Sequence, residues 1–460
     1  MHTRFFPRKT ATQEDYEQAL SLGLALLALA FFTGGAVVKE PTGNLSADVA
    51  NYIYDLFEKR GGGLGMLIMI LIGFSAYMSH VGANDVVIRV LYKPLRHIRS
   101  PYMIMAGGYI LGCMMSFAIH SATALGVFLM ATLFPIMVRI GISVPSAAAV
   151  CASTTAVNLA PTAADVVLAA EKAGAPLIHF SFNIILPMSL VALVFITIAH
   201  FFWQRWCDKR EGLLGNGNTA VEVQEAQVPQ SDAPLAYFLL PFLPIVLLFI
   251  FTQDGAGVLE KINVRLFDAE KFPEITLGGL IVLTVIITAL CEFVRHRKAA
   301  PVYDGLEVCY RGMGEAFSGV VVLLIAAGVF AHGLSSIGFV SALIDSVQQV
   351  GNAANLVMIA LVVITLLVAI AAGSGNAAFF AFVEIAPRLA GEMGLNPAYL
   401  IAPMMQVSNT GRVMSPVSGV MVAVSGAAKI SPLLLAKRTS VPALVGVVVI
   451  VVYTMLFIPK

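Results

Sequence analysis

The sequence predicts an all-α polytopic membrane protein made of two inverted repeats, each carrying a re-entrant hairpin and a broken transmembrane helix. Residues of the AVILMFWYC set make up 58% of the 460-residue chain and charged residues only 12%, against about 25% charged in a typical soluble domain. Many apolar runs approach or exceed the roughly 20 residues that cross a bilayer. Short polar strings interrupt these runs at matching places in the two halves. The first pair is Ser121-Ala122-Thr123 and Ala160-Pro161-Thr162; the second is Ser374-Gly375-Asn376 and Ser415-Pro416-Val417-Ser418. Hydrocarbon tolerates broken backbone only where protein or water satisfies it.

The apolar segments fall at 19–38, 63–82, 101–119, 124–138, 144–172 (broken near Pro161), 181–203, 235–253, 274–294, 314–334, 353–372, 377–394, 396–428 (broken near Pro416) and 439–458. The opening, MHTRFFPRKTATQEDYEQ, is polar, and the span after it has no small-residue cleavage pattern of a signal peptide. Basic residues cluster in short loops: Arg89, Lys93, Arg96 and Arg99; Arg205, Lys209 and Arg210; Arg295, Arg297 and Lys298; Lys437 and Arg438. Asp254, Glu260, Asp268 and Glu270 make the 254–273 loop more acidic. Alternate threading places the basic loops on one face, which the positive-inside rule makes cytoplasmic. The N-terminus is then inside and Lys460 outside. Residues 211–234, with Gly215, Gly217, Pro229 and Pro234, read as a flexible linker.

A repeat follows from the spacing. Pro135 and Pro145 recur as Pro387 and Pro397 at an offset of 252; Ser121 recurs as Ser374 at 253 and Pro161 as Pro416 at 255. Val81-Gly82 resembles Ile337-Gly338 at an offset of 256. The counterpart of the basic 89–99 loop, around 345–352, carries only Asp345, which implies inverted copies. The expected organisation is an N-terminal segment and first span (1–62), a first repeat (63–203), a linker with extra spans (204–313), and a second repeat with the last span (314–460). Hairpins with tips at Ser121–Thr123 and Ser374–Asn376 fit the small polar tips. Full spans joined by ordinary loops return the chain to the same face equally well.

Paired interruptions in corresponding halves are the sequence signature of a transporter's midplane site. They make Ser121, Thr123, Thr162, Ser374, Gly375, Asn376, Ser415 and Ser418 candidate binding residues. The plainer reading is that such small residues only let helices pack closely. Ionisable groups inside spans are functional candidates by default. Arg412, just before the break at Pro416, can grip a carboxylate bidentately or pair with Asp165. Asp165 can instead take a proton or cation, and His120, beside the first tip, can take up a proton or hydrogen-bond locally. Glu384 lies four residues before Arg388, the spacing of a helix-surface ion pair. His80 and His332 lie at span ends, and Arg139 closes the first hairpin as a cytoplasmic anchor.

The strings GSGNA (Gly373–Ala377), SPVSGV (Ser415–Val420), APTAADVVLAA (Ala160–Ala170), SATALGVFLMATLFP (Ser121–Pro135) and AKRTSVP (Ala436–Pro442) resemble the DcuC family of anaerobic C4-dicarboxylate carriers. IGFSAYMSHVGANDVV (Ile72–Val87) and YRGMGEAF (Tyr310–Phe317) extend the resemblance across roughly residues 60–458. It implies a secondary transporter of succinate, fumarate and malate in the inner membrane, working by succinate efflux or dicarboxylate exchange in anaerobic growth. It also implies a homodimer and, from the broader ion-transporter group, hairpins and broken helices that move as a substrate-carrying unit against a static scaffold. Members of the family open with an additional apolar span, whereas this chain opens with a charged segment; either the start is misassigned or that span is absent.

A C4-dicarboxylate is a dianion that must be held at the midplane without being trapped. In this reading Ser121 and Thr123 serve one carboxylate, Ser374 and Asn376 the other, and Thr162, Ser415, Ser418 and Arg412 add donors, with Gly375 allowing close backbone approach. The coupling ion is a proton or sodium. Other classes fit less well. No HExxH or Walker A string occurs, and Gly373-Ser374-Gly375 is too short to argue a serine protease, so an enzyme is not expected. A channel does not require paired broken helices. Citrate, lactate or gluconate remain alternative substrates. The five cysteines have no metal spacing, so neither a metal nor a cofactor is expected, and a net charge of +1 gives no reason to expect nucleic acid.

Overall fold

The computed structural model describes residues 11–32, 38, 41–92, 101–117, 119–213, 232–251, 275–338, 342 and 353–460, and among these the chain is helical with no strand. The expected acidic loop at 254–273, the counterpart loop at 345–352, most of the 211–234 linker, and Lys93, Arg96 and Arg99 lie outside the described residues.

The helices are α1 (Ala11–Phe32), α2 (Leu45–Leu56), α3 (Met66–His80), α4 (Ala83–Tyr92), α5 (Pro101–Met115), α6 (Ala122–Arg139), α7 (Val144–Ser153), α8 (Ala164–Ala173), α9 (Leu186–Arg210), α10 (Leu243–Phe251), α11 (Leu277–His296), α12 (Ala300–Ala316), α13 (Val322–Ser336), α14 (Ala353–Ala372), α15 (Gly375–Val383), α16 (Ala386–Glu392), α17 (Pro397–Arg412), α18 (Gly419–Ala428) and α19 (Pro432–Phe457). Among the described residues, seven continuous helical stretches are long and apolar enough to cross a membrane: Leu45–His80, Ala122–Arg139, His179–Arg210, Leu277–His296, Ala300–Ser336, Ala353–Ala372 and Pro432–Phe457.

The two longest of these are repeat counterparts. A π-helical stretch, Phe57–Gly65, fuses α2 to α3, and another, Phe317–Val321, fuses α12 to α13. The first carries the Gly61-Gly62-Gly63 run without breaking, so the expected boundary at 62/63 lies inside one helix. Wider π turns often mark functional positions. These long helices pack on each other and on α1 and α11. Leu27, Leu56, Val321, Ile325 and Val329 give α1, α2 and α13 a small core of their own.

The second group holds the interrupted elements. In each repeat a hairpin (α5–α6; α14–α15) is followed by a broken helix (α7–α8; α17–α18) and a long closing helix (α9; α19). The copies interlock: α18 packs on α6 and α7, while α8 packs on α15 and α17. Each half of the first broken helix is ten residues, or about 15 Å, half of a roughly 30 Å hydrocarbon core. The second broken helix is less even, with halves of 16 and ten residues, and the hairpin tips pack against the two breaks. Charged chain ends also gather as alternate threading demands. Tyr102, at the start of α5, donates to Asp208 (3.4 Å) and lies under Arg205 (5.9 Å), and Arg438 bridges to Asp208 (2.8 Å) and Glu211 (2.5 Å).

Two expected roles of charged residues are corrected. Arg438 is not a loop charge but sits inside α19, 1% exposed against Asp208, also 1% exposed. Glu384 does not pair with Arg388: Arg388 bonds Glu392 (2.8 Å), while Glu384 bonds Arg60 (2.6 Å) and Lys172 (2.8 Å). The helix is interrupted at Glu384–Ile385, between α15 and α16, so the i,i+4 geometry of a continuous helix is lost there.

Candidate substrate site at the hairpin tips and helix breaks

Four helix N-termini define the site. Ser121 caps α6 by accepting from the Ala124 N–H (3.3 Å), Ser374 caps α15 through Ala377 N–H (3.2 Å), and Ser418 caps α18 through Met421 N–H (3.5 Å). The fourth, α8, begins after Ala163 with no side-chain cap. A serine that caps as an acceptor keeps its own O–H proton to donate, and the first-turn N–H groups add positive partial charge.

Glycine brings the tips onto the breaks. Gly373 turns the second tip at φ +71°, and a Cβ there would lie 2.9 Å from Ser418 N and Cα. A Cβ on Gly375 would lie 2.9 Å from Ser408 O of α17. One on Gly419 would lie 3.0 Å from Thr123 Oγ1, which places the first tip against the start of α18. His120 Nε2 hydrogen-bonds Thr162 Oγ1 (3.2 Å), joining the first tip to the first break. Both tips and both breaks thus meet, and the residues expected from sequence converge on one region. Ser121 and Thr123 are exposed, Ser374, Asn376 and Arg412 half-buried, and Thr162, Gly375, Ser415 and Ser418 buried.

Arg412 ends α17 at the second break. One guanidinium N–H donates to Thr155 O in the first break (3.3 Å), while buried Nε has no partner. Thr155 Oγ1 and His120 Nδ1 are likewise buried without a partner. Unpaired buried polar atoms are expensive, on the order of 1–3 kcal/mol each, and these three belong to the first tip and the two breaks. Asp165 does not pair with Arg412. Its Oδ1 accepts from Asn158 Nδ2 (2.8 Å) and the Val166 N–H (3.1 Å), and its Oδ2 accepts from Asn409 Nδ2 (2.7 Å). Gln406 continues this lattice, accepting from the Asn158 N–H (2.9 Å) and donating to Asn158 O (3.0 Å) and Ser189 Oγ (2.7 Å). Thr410 donates to Ala156 O (2.8 Å).

Sequence reasoning did not select Thr155, Asn158, Ser189, Gln406 or Asn409. The signal was present, since side-chain amides inside apolar spans demand partners, but the tip strings drew the argument. It also missed a second polar ladder, in which Ser143, Ser146 and Ser153 of the α7 segment face Asp208, Gln204 and His200 of α9.

Repeated hairpins and broken helices, interlocked half-helices and, among the described residues, seven helical stretches able to cross a membrane define a multi-pass membrane transporter. Known proteins agree. The structure of the YdaH transporter of Alcanivorax borkumensis, described as having an unusual topology, matches with a TM-score of 0.63 and 15% identity over 97% of this chain and 99% of that one; at that identity the likeness shows the fold. The family model for DcuC, the C4-dicarboxylate anaerobic carrier, matches residues 29–459. The anaerobic C4-dicarboxylate transporter DcuC of Escherichia coli K12 is 48% identical over 440 residues, covering 95% of this chain and 91% of that protein. The probable anaerobic C4-dicarboxylate transporter DcuC of Vibrio cholerae is 46% identical over 446 residues, covering 96% and 92%. The chain belongs to the DcuC family of anaerobic C4-dicarboxylate carriers, proteins of the inner membrane.

Proposed function

We propose that the protein carries C4-dicarboxylates such as succinate, fumarate and malate, as an exchanger or as a carrier coupled to a proton or sodium, and that it is not an enzyme. The observation that carries this reading is the meeting of both tips and both breaks around Arg412, with its Nε unengaged. In this reading Arg412 grips one carboxylate with the part of its fork that Thr155 leaves unused. The hydroxyls of Ser121, Thr123 and Thr162 with the first-repeat N-termini, and those of Ser374, Ser415 and Ser418 with Asn376 and the Gly375 backbone, share the dianion between the two repeats. Small neutral donors and one cation fit a dianion that must leave again. In this reading His120 is the candidate for a coupling proton, whereas Asp165 serves to hold the two breaks together.

The two groups of helices support an elevator-like cycle in a homodimer. The unit of α5–α9 and α14–α19 moves, and the long helices with α1 and α11 stay fixed. The deciding experiment is counterflow of labelled succinate into proteoliposomes preloaded with unlabelled succinate, beside an Arg412→Ala protein. Rapid uptake by wild type and its loss in the variant is expected. Uptake retained by the variant removes Arg412 from the site, and no counterflow of any C4-dicarboxylate by folded wild type refutes the substrate.

A further inference from the structure

Glu384 has two cationic partners, and they belong to different groups of helices. Arg60 lies in the π-helical stretch between α2 and α3. Its helix is anchored to the long-helix group: Leu56 shares a core with Leu27 and Ile325, and Tyr52 stacks on His332 of α13 (4.3 Å). Lys172 is near the end of α8, which packs on α15, α16 and α17. Glu384 follows α15 directly, so Lys172 and Glu384 sit on elements packed together, while Arg60 reaches them from outside. Among the described residues, Arg60–Glu384 is the one ion pair that joins the long-helix group to the hairpins and broken helices.

The three side chains are 12–15% exposed, which shields the bridges from most screening. The contact is also incompletely satisfied, since Arg60 Nη1 and Glu384 Oε1 are buried without a hydrogen-bond partner. Both cations share Glu384 Oε2, at 2.6 Å from Arg60 and 2.8 Å from Lys172. A carboxylate that loses its sole counter-ion inside a membrane protein pays a large desolvation penalty. One that keeps a second cation on its own rigid body can release the first without that penalty.

We propose that Arg60–Glu384 is a conformational latch holding the carrying unit in the position seen here, and that Lys172 is the counter-ion that travels with Glu384 when the latch opens. The proposal rests on the moving-unit reading above. It assigns the asymmetry of the triad to two roles: Arg60 sets the population of this conformation, and Lys172 sets the ease of leaving it.

The test uses Phe330 of α13 and Phe382 of α15, whose rings meet edge to face across the same boundary at 6.2 Å. In a Phe330→Cys/Phe382→Cys protein, a short bifunctional maleimide reads the fraction of molecules in this conformation, and succinate counterflow reads the rate. Arg60→Gln is expected to lower the crosslinking equilibrium on the order of fivefold, the low end of couplings that bias two-state elements, and Arg60→Lys to restore it. Lys172→Gln is expected to leave crosslinking unchanged or raised while slowing counterflow. Should Arg60→Gln fail to fold, Glu384→Asp, which withdraws the carboxylate by one methylene, is read in its place. Unchanged crosslinking in both variants, or the same effect from Arg60→Gln and Lys172→Gln, overturns the latch. A fully crosslinked protein that still transports overturns the moving unit itself, a separate failure.

Discussion

The bridge between Arg438 and Asp208 allows a sharp stability prediction. Asp208 Oδ1 accepts from Arg438 Nη1 (2.8 Å), Ser143 Oγ (2.7 Å) and Ser146 Oγ (2.8 Å), and both ions are 1% exposed. Arg438→Met leaves a buried carboxylate held only by hydroxyls, which bond it without neutralising it. Breaking one side of a buried pair costs about 3–5 kcal/mol. The other acid on Arg438, Glu211, is 37% exposed and can turn to water, so it adds little. Replacing both ions, in Arg438→Met/Asp208→Leu, takes Asp208 from the hydroxyls of Ser143, Ser146 and Tyr102, at about 1 kcal/mol each by the usual net worth of such bonds, and Ser146 keeps Gln204 Oε1 as an acceptor (3.3 Å). The double variant should therefore be more stable than the single one. The control is Arg311→Met, which removes an i,i+4 bridge to Glu307 with side chains 68% and 69% exposed, worth about 0.3–0.5 kcal/mol. Thermal unfolding in detergent, followed by a thiol-reactive dye that reports exposure of buried Cys207, should show Arg438→Met melting roughly 3–5 °C below wild type, with the double variant recovering part of the loss. Arg438→Met melting with Arg311→Met, or the double variant melting below the single, would refute the reasoning.

The remaining predictions concern the site. Arg412→Lys should keep a point charge but lose the bidentate grip, raising the half-saturating succinate concentration roughly tenfold while Arg412→Ala raises it on the order of a hundredfold; equal effects in a concentration series of counterflow would argue against a fork-like contact. Gly373→Ala meets a positive φ and the backbone of Ser418 at 2.9 Å, so it should cut counterflow at least about tenfold, since displacement of an ångström costs such factors; unaltered rates would show that the tip is not held against the break. Asp165→Asn turns an acceptor of three N–H bonds into a group whose NH₂ meets another donor in either orientation, Asn409 Nδ2 in one and Asn158 Nδ2 with the Val166 N–H in the other, and should lower the melting temperature by an amount matching about 2–3 kcal/mol. A variant with wild-type stability and lost coupling would move Asp165 from anchor to coupling site.

Much of the fold was legible because the bilayer leaves few options. α14 begins and ends at the expected 353 and 372, bounded by the polar string that follows it, and both breaks fall around Pro161 and Pro416 as expected. Proline and small polar residues inside an apolar run have one local meaning, so periodicity is not needed to read them. What failed was long-range. Glu384 has an arginine four residues on, but its partners lie 324 residues away at Arg60 and on α8 at Lys172, and only the inverted packing brings them together. Arg438 carries the local marks of a basic anchor, and nothing in its neighbourhood foretells Asp208, 230 residues earlier. The glycine run after Arg60 looked like a boundary, yet a π turn absorbs it because tertiary packing of α2 and α3 outweighs the poor helix propensity of three glycines. At the site, Ser121 and Ser374 start helices where the small polar strings interrupt the apolar runs, while the amides that fix the breaks carry no such local mark.

Asp165 finds its second amide donor in Asn409, 244 residues later. At about 5–20 residues per second, a ribosome needs roughly 12–50 s to make that stretch. For that time a newly inserted first repeat carries a carboxylate, an open helix break and an asparagine with no second copy to complete them, in a solvent that supplies no hydrogen bonds. Each half is thus a stranded intermediate until the other arrives, and the biogenesis of this fold requires something to shelter the first half: the insertion machinery, a chaperone in the membrane, or water admitted at the break.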